Sequence, residues 1–135
     1  MFKLIESLCR DPLRFPVKPG TKLTPGHVVS IVEYEGYLVV DVCEGKNTLG
    51  LLGNRCVGGN QIDFDTKKFA KVFAQRMIVD VDKFDRTHKI EVGNSLYCNK
   101  RGMLSSKKPS DSSLVLAKVI TPASEDKKHM QILWL

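Results

Sequence analysis

Two apolar, valine-rich runs, Val28-Val29-Ser30-Ile31-Val32 and Tyr37-Leu38-Val39-Val40-Asp41-Val42, flank Glu35-Gly36, and no other feature of the chain constrains its fold as strongly. Valine and isoleucine are stiff at χ1 and pack well on a pleated surface, so both runs favour strands. Glycine in a short link supplies the positive φ that a tight hairpin turn requires. The pair therefore reads as a β-hairpin.

The same grammar continues downstream. Glu44-Gly45-Lys46-Asn47 closes a turn, Leu49-Gly50-Leu51-Leu52-Gly53-Asn54 is a short buried segment broken by glycine, and Cys56 to Gln61 reads as a flexible loop. Between 66 and 82 the pattern is ambiguous: Phe69, Val72, Phe73 and Met77 have helical spacing, whereas Phe73, Met77, Val79 and Val81 mostly alternate. One strand from Val72 to Val81 is the preferred reading. Lys89–Val92, Ser95–Cys98, Leu114–Ile120 and Met130–Trp134 supply further strands, punctuated by Gly93-Asn94, Asn99 to Gly102 and Pro122 to Lys128. In the last of these, Met130, Ile132 and Trp134 share one face, as a half-buried strand requires. Ser105 to Ser113, rich in Ser and Lys, reads as a mobile loop. The sum is a mainly β fold, a small barrel or sandwich of about seven to nine short antiparallel strands.

The first residues differ. Pro12, Pro16, Pro19 and Pro25 forbid a long regular element. Residues 3–10 could form one short helix, and Leu13 to Leu23 reads as an extended arm. This divides the chain into an N-terminal arm, 1–25, and a β-barrel or sandwich domain, 26–135. The arm's apolar points, Phe2, Leu4, Leu8, Leu13, Phe15 and Val17, either cover the chain's own domain or grip a neighbouring subunit.

At 135 residues the chain fits one domain with a core of its own. No apolar run approaches membrane-spanning length, and the N-terminus, with Glu6 inside its apolar stretch, is a poor secretory signal. Synthesis in the cytoplasm is the expectation, with Cys9, Cys43, Cys56 and Cys98 as buried free thiols, since they match no CxxC pair. A net charge of +6 permits nucleic acid, an anionic membrane or an acidic protein as partner without choosing among them. The basic pairs Lys67-Lys68, Lys100-Arg101, Lys107-Lys108 and Lys127-Lys128 are dispersed, and solvated loops explain them best.

Candidate chemistry is sparse. Asp80-x-Asp82-x-x-Asp85 with Glu91 has the length of a calcium loop, but Phe84 takes a ligand position and Asp85 the obligatory glycine position. Asp63 and Asp65 could hold Mg²⁺ for phosphoryl chemistry, yet no nearby Lys, His or Glu is spaced to complete such a site. His27, His88 and His129 match no metal pattern. A nucleophilic pair of Cys43 or Cys98 with His27 would need a cleft and a depressed thiol pKa. Gly50, Gly53, Gly58 and Gly59 lack the P-loop lysine and suit turns and bulges. Tyr97 near Lys100 and Arg101 is the best local case for stacking a nucleic-acid base. The expectation is a binding or assembly protein, with no enzyme activity, metal, cofactor or small-molecule substrate, no membrane, and nucleic acid disfavoured as partner.

Four segments in order carry a resemblance: Asp82-x-Phe84-Asp85, Glu91-Val92-Gly93-Asn94-Ser95-Leu96-Tyr97, Arg101-Gly102-Met103-Leu104-Ser105-Ser106 and Leu116-Ala117-Lys118-Val119-Ile120-Thr121-Pro122. Together with Pro25-Gly26-His27-Val28-Val29 and the Leu49 to Asn54 segment, this order resembles the small virion proteins of tailed bacteriophages, over about residues 19–135. Ala117 stands where that group has glycine. Among such proteins the head-decoration, or cement, proteins are most similar. The resemblance implies a homotrimer on the capsid surface of the virion that binds the major capsid protein, and it gives the six apolar points of the arm a subunit-interface role.

Overall fold

The computed structural model describes residues 1–110 and 114–135. Its strands are β1 (Phe2–Ser7), β2 (Leu13–Phe15), β3 (Lys22–Leu23), β4 (Val28–Tyr34), β5 (Tyr37–Val42), β6 (Thr48–Leu52), β7 (Cys56–Val57), β8 (Ala70–Phe73), β9 (Met77–Val81), β10 (Ser95–Cys98), β11 (Leu104–Ser105), β12 (Ala117–Thr121) and β13 (Met130–Trp134). One turn of 3-10 helix, Thr66–Lys68, precedes β8, with Asp65 capping it by accepting from the Lys67 N–H. The first sheet runs β1-β9-β13-β12-β10-β11, the second β2-β8-β6-β4-β5, and β3 and β7 form a small third sheet. All strand pairings are antiparallel. The chain is a mainly β sandwich, as expected, with more and shorter strands than the sequence pattern suggests.

The hairpin forms where the valine runs place it, Tyr34 opposite Tyr37, with Glu35 at φ 49° and Gly36 at φ 83°. Two successive positive φ values define the turn whose twist matches its strands. Ser95–Cys98 and Met130–Trp134 coincide with the expected strands.

Five local expectations give way. Residues expected as a helix over 3–10 form β1 instead, because the edge of β9 offers unpaired backbone groups that Phe2 to Ser7 fill, with a bulge at Ile5. The single strand expected over Val72–Val81 is two strands in different sheets, β8 and β9, joined by a corner at residues 74–76. Lys89–Val92 is not a strand; its Glu91 N–H is taken by the Asn94 side chain at 2.7 Å, which closes a turn. Within the expected loop Cys56–Gln61, Cys56 and Val57 form β7 against β3. Of the expected mobile loop, Ser105 is a buried residue of β11, and 111–113 lie outside the described residues.

Residues 1–25 supply β1, β2 and β3 to the three sheets. Between β2 and β3, Val17 bridges Val40, while the Val40 N–H donates to Pro16 O and the Lys18 N–H to Val40 O, both at 2.9 Å. The segment thereby covers the outer edge of β5, which would otherwise present open ladder groups.

Two cores result. Between the two large sheets lie Val28, Leu51, Met77, Val79, Val81, Leu96, Leu104, Met130, Ile132 and Trp134. On the opposite face of the second sheet, Val17, Leu23, Val29, Val40, Leu52, Cys56, Ala70 and Val72 form another cluster. The second sheet is therefore buried on both faces, which is why its strands carry the doublets Val28-Val29 and Leu51-Leu52, one residue for each core.

Candidate interaction surface

The six apolar points of the N-terminal segment separate into two groups. Phe2 stacks on Phe73 with ring centroids 4.7 Å apart, joining β1 to β8, and Leu4 packs against the same inter-sheet core. Val17 belongs to the second core and Phe15 packs against it. These four serve the chain's own fold. Leu8 is fully exposed and Leu13 is 47% exposed. Leu8 follows β1 in the link 8–12, which crosses from the first sheet to the second beside the corner 74–76; Gln75 Nε2 donates to Cys9 O at 2.6 Å and ties the two crossings together.

Further apolar side chains stand at the hairpin. Tyr37 and Leu38 on β5 are more than half exposed, and Tyr37 meets the ring of Phe64 edge-on at 5.0 Å. Phe64 is not among the residues that the sequence singles out; its one signal there is a large aromatic between Asp63 and Asp65.

The aspartates go to separate tasks. Asp80 lies on β9 with Oδ2 3.8 Å from His129 Nε2, and its buried Oδ1 has no partner among the described residues. Asp82 holds the N-terminal ammonium. Asp85 accepts from the Thr87 N–H and hydroxyl, from Ser105 Oγ, and meets His88 Nδ1 at 3.0 Å. Those donors, Thr87 first, hold its carboxyl well below the usual range. Asp63 accepts from the Asp65 N–H and pairs with Lys68, and Glu91 pairs with Lys89. Among the described residues no three His, Cys, Asp or Glu side chains converge as metal ligands would.

His27 is engaged locally: its Nδ1 accepts the Thr24 N–H at 3.1 Å, and burial followed by the Lys83 charge pushes its pKa down. Cys43 and Cys98, each weighed as a nucleophile for His27, instead adjoin one another, Cys98 Sγ lying 3.4 Å from Cys43 O. Tyr97 lines a shallow depression with Lys89 and Lys108, not with Lys100 and Arg101. Lys108 also borders a recess of about 390 Å³ lined by Lys100, Lys107, Asn99 and Cys98 and by the carboxylates of Glu44 and Asp85, so the basic side chains that gather around β10 and β11 are partly offset. Gly50 sits where any Cβ would overlap the Phe73 carbonyl, a strand-packing role and not a phosphate cradle.

No protein-family model matches the chain, and neither does any curated protein. Among solved structures it resembles the N base of the head fiber gp8.5 of bacteriophage phi29, with a TM-score of 0.61 over 91% of this chain and 93% of that one, at 13% identity. The likeness is one of fold: nearly the whole of each chain superposes although few residues are shared.

Proposed function

We propose that this chain is a structural protein of a tailed-bacteriophage virion, and that it binds the capsid surface as a head-decoration protein. The observation that carries the reading is the fold likeness to the base of a phage head fiber, which spans almost the full length of both chains. The ordered motifs from Asp82 to Pro122 support the same class independently. Exposed Leu8, Leu13, Tyr37, Leu38 and Phe64 are the apolar anchors for the major capsid protein or for further copies of this chain in a homotrimer. Such a protein stabilises the shell by mass action, because it binds the assembled lattice and not the free subunits.

Co-sedimentation of the purified chain with mature capsids tests this. Saturable binding at micromolar concentration, weakened by Leu8→Asp with Tyr37→Asp, is expected; no binding to capsids, or binding to tails alone, overturns the decoration role. A second reading, nucleic-acid binding, is favoured by the lysines around the recess; it requires an affinity that falls steeply with salt.

A further inference from the structure

We propose that Cys43 and Cys98 form an oxidisable dithiol, a site of intrachain disulfide formation that staples the two large sheets where the β10–β11 turn meets the end of β5. Cys43 follows β5 of the second sheet and Cys98 ends β10 of the first; they are 55 residues apart and both buried. The backbone around them is tightly held. The Val28 N–H donates to Gly102 O at 2.8 Å, the Cys43 N–H donates to Val28 O at 3.0 Å, and a Cβ on Gly102 would strike Val42. Cys98 Sγ donates to Cys43 O at 3.4 Å, which sets the Cys98 sulfur directly against the Cys43 residue.

The surroundings favour one negative charge on the pair. Cys43 Sγ accepts the Gly45 N–H at 3.3 Å and lies 3.2 Å from Thr48 Oγ1. Contact with Cys98 is the largest cause pulling the Cys43 thiol down to about 5, while the same contact pushes Cys98 up. These contacts favour the thiolate at Cys43 over Cys98, and a thiolate is the reactive form. Access comes from the 390 Å³ recess, whose lining includes Cys98 and Gly45 together with Lys100, Lys107 and Lys108 against Glu44 and Asp85, a mouth whose lysines outnumber its carboxylates and can draw in an anionic oxidant. Cys56 offers a contrast: burial alone raises its thiol to about 11.

The oxidant class is a small, negatively charged disulfide such as oxidised glutathione. Cys98 sulfur, passing its proton to the Cys43 thiolate, attacks one sulfur of the oxidant; that S–S bond breaks and a first thiolate leaves. Cys43 sulfur then attacks Cys98 sulfur in the mixed disulfide, its proton goes to a departing thiolate, and the second thiolate leaves. The chain gives up two electrons and one proton from its monoanionic pair, and the oxidant becomes one thiol and one thiolate.

Titration of the intact chain with oxidised glutathione, followed by intact mass and non-reducing peptide mapping, tests this. The expected result is a loss of about 2 Da, one cross-linked peptide joining Cys43 to Cys98, and a rise in Tm of roughly 10 °C that dithiothreitol reverses, as closing a long loop requires. Cys9→Ser and Cys56→Ser should leave the cross-link intact, and Cys98→Ser should abolish it. A persistent glutathione adduct, a cross-link through Cys9 or Cys56, or no change in mass overturns the assignment. Because the mapping is done on the unaltered chain, the result does not depend on the variants folding.

Discussion

Ser105 Oγ donates to Asp85 Oδ2 at 3.1 Å, with both residues buried, and this contact fastens the long connection after β9 to the short strand β11. The backbone agrees: the Asp85 N–H donates to Leu104 O at 2.7 Å, and Phe84 bridges Leu104. Asp85→Ala would leave the Ser105 hydroxyl and the Thr87 groups without their acceptor. A loss of about 1.5–3 kcal/mol is expected, since buried Ser105 loses a charged acceptor, whereas the exposed Thr87 groups can turn to water. Urea unfolding of the two proteins checks it, and an unchanged midpoint would mean that the carboxylate does not organise this connection.

The same carboxylate makes stability depend on pH. Its folded pKa is depressed, so its contribution is complete above the unfolded value of 3.8 and is lost as pH falls below that value toward the folded one. His27 acts at higher pH in the same direction. Burial and Lys83 lower its folded pKa below 6.5, so as pH falls past 6.5 the unfolded chain takes up a proton that the folded one resists. The expected profile is a shallow decline in Tm beginning near pH 6.5 and a steeper one below about pH 4. His27→Gln should remove the first decline, and Asp85→Asn should flatten the second.

At the hairpin tip, Glu35 occupies a left-handed conformation that side-chain residues other than Asn and Asp seldom adopt. Glu35→Asn is expected to stabilise by about 0.5–1 kcal/mol, and Gly36→Ala to destabilise by about 1–2 kcal/mol. Thermal melts of the two variants give opposite shifts if the turn has the geometry described.

Much of the architecture was legible because its signals are local. The valine runs and Glu35-Gly36 specify a hairpin by themselves, and the alternation of Met130, Ile132 and Trp134 specifies β13. What escaped depends on contacts made far along the chain. Phe2 to Ser7 has no strong preference of its own and becomes a strand only because β9 has a free edge. The doublets Val28-Val29 and Leu51-Leu52 were visible, but that they mark a sheet with two covered faces depends on Val17 and Leu23 folding back over it. The pairing of Cys43 with Cys98 leaves no trace in spacing, because β5 and β10 belong to different sheets. The chemistry-bearing residues were individually visible, and their separation in space could be known only from the fold.

The two-sided burial of the second sheet makes a sharp comparison within residues 1–25. Leu23 is 1% exposed and packs with Val29, Val40 and Leu52, so Leu23→Ala should cost about 2–5 kcal/mol. Leu8 touches no core, and Leu8→Ala should change stability by less than about 0.5 kcal/mol. Guanidinium unfolding of the two variants separates the roles: one leucine holds the segment to its own domain, and the other is free to meet a partner. If both substitutions proved neutral, the segment 13–23 would not be the cover of the second core; if Leu8→Ala cost as much as Leu23→Ala, Leu8 would be committed to the fold and unavailable as an anchor.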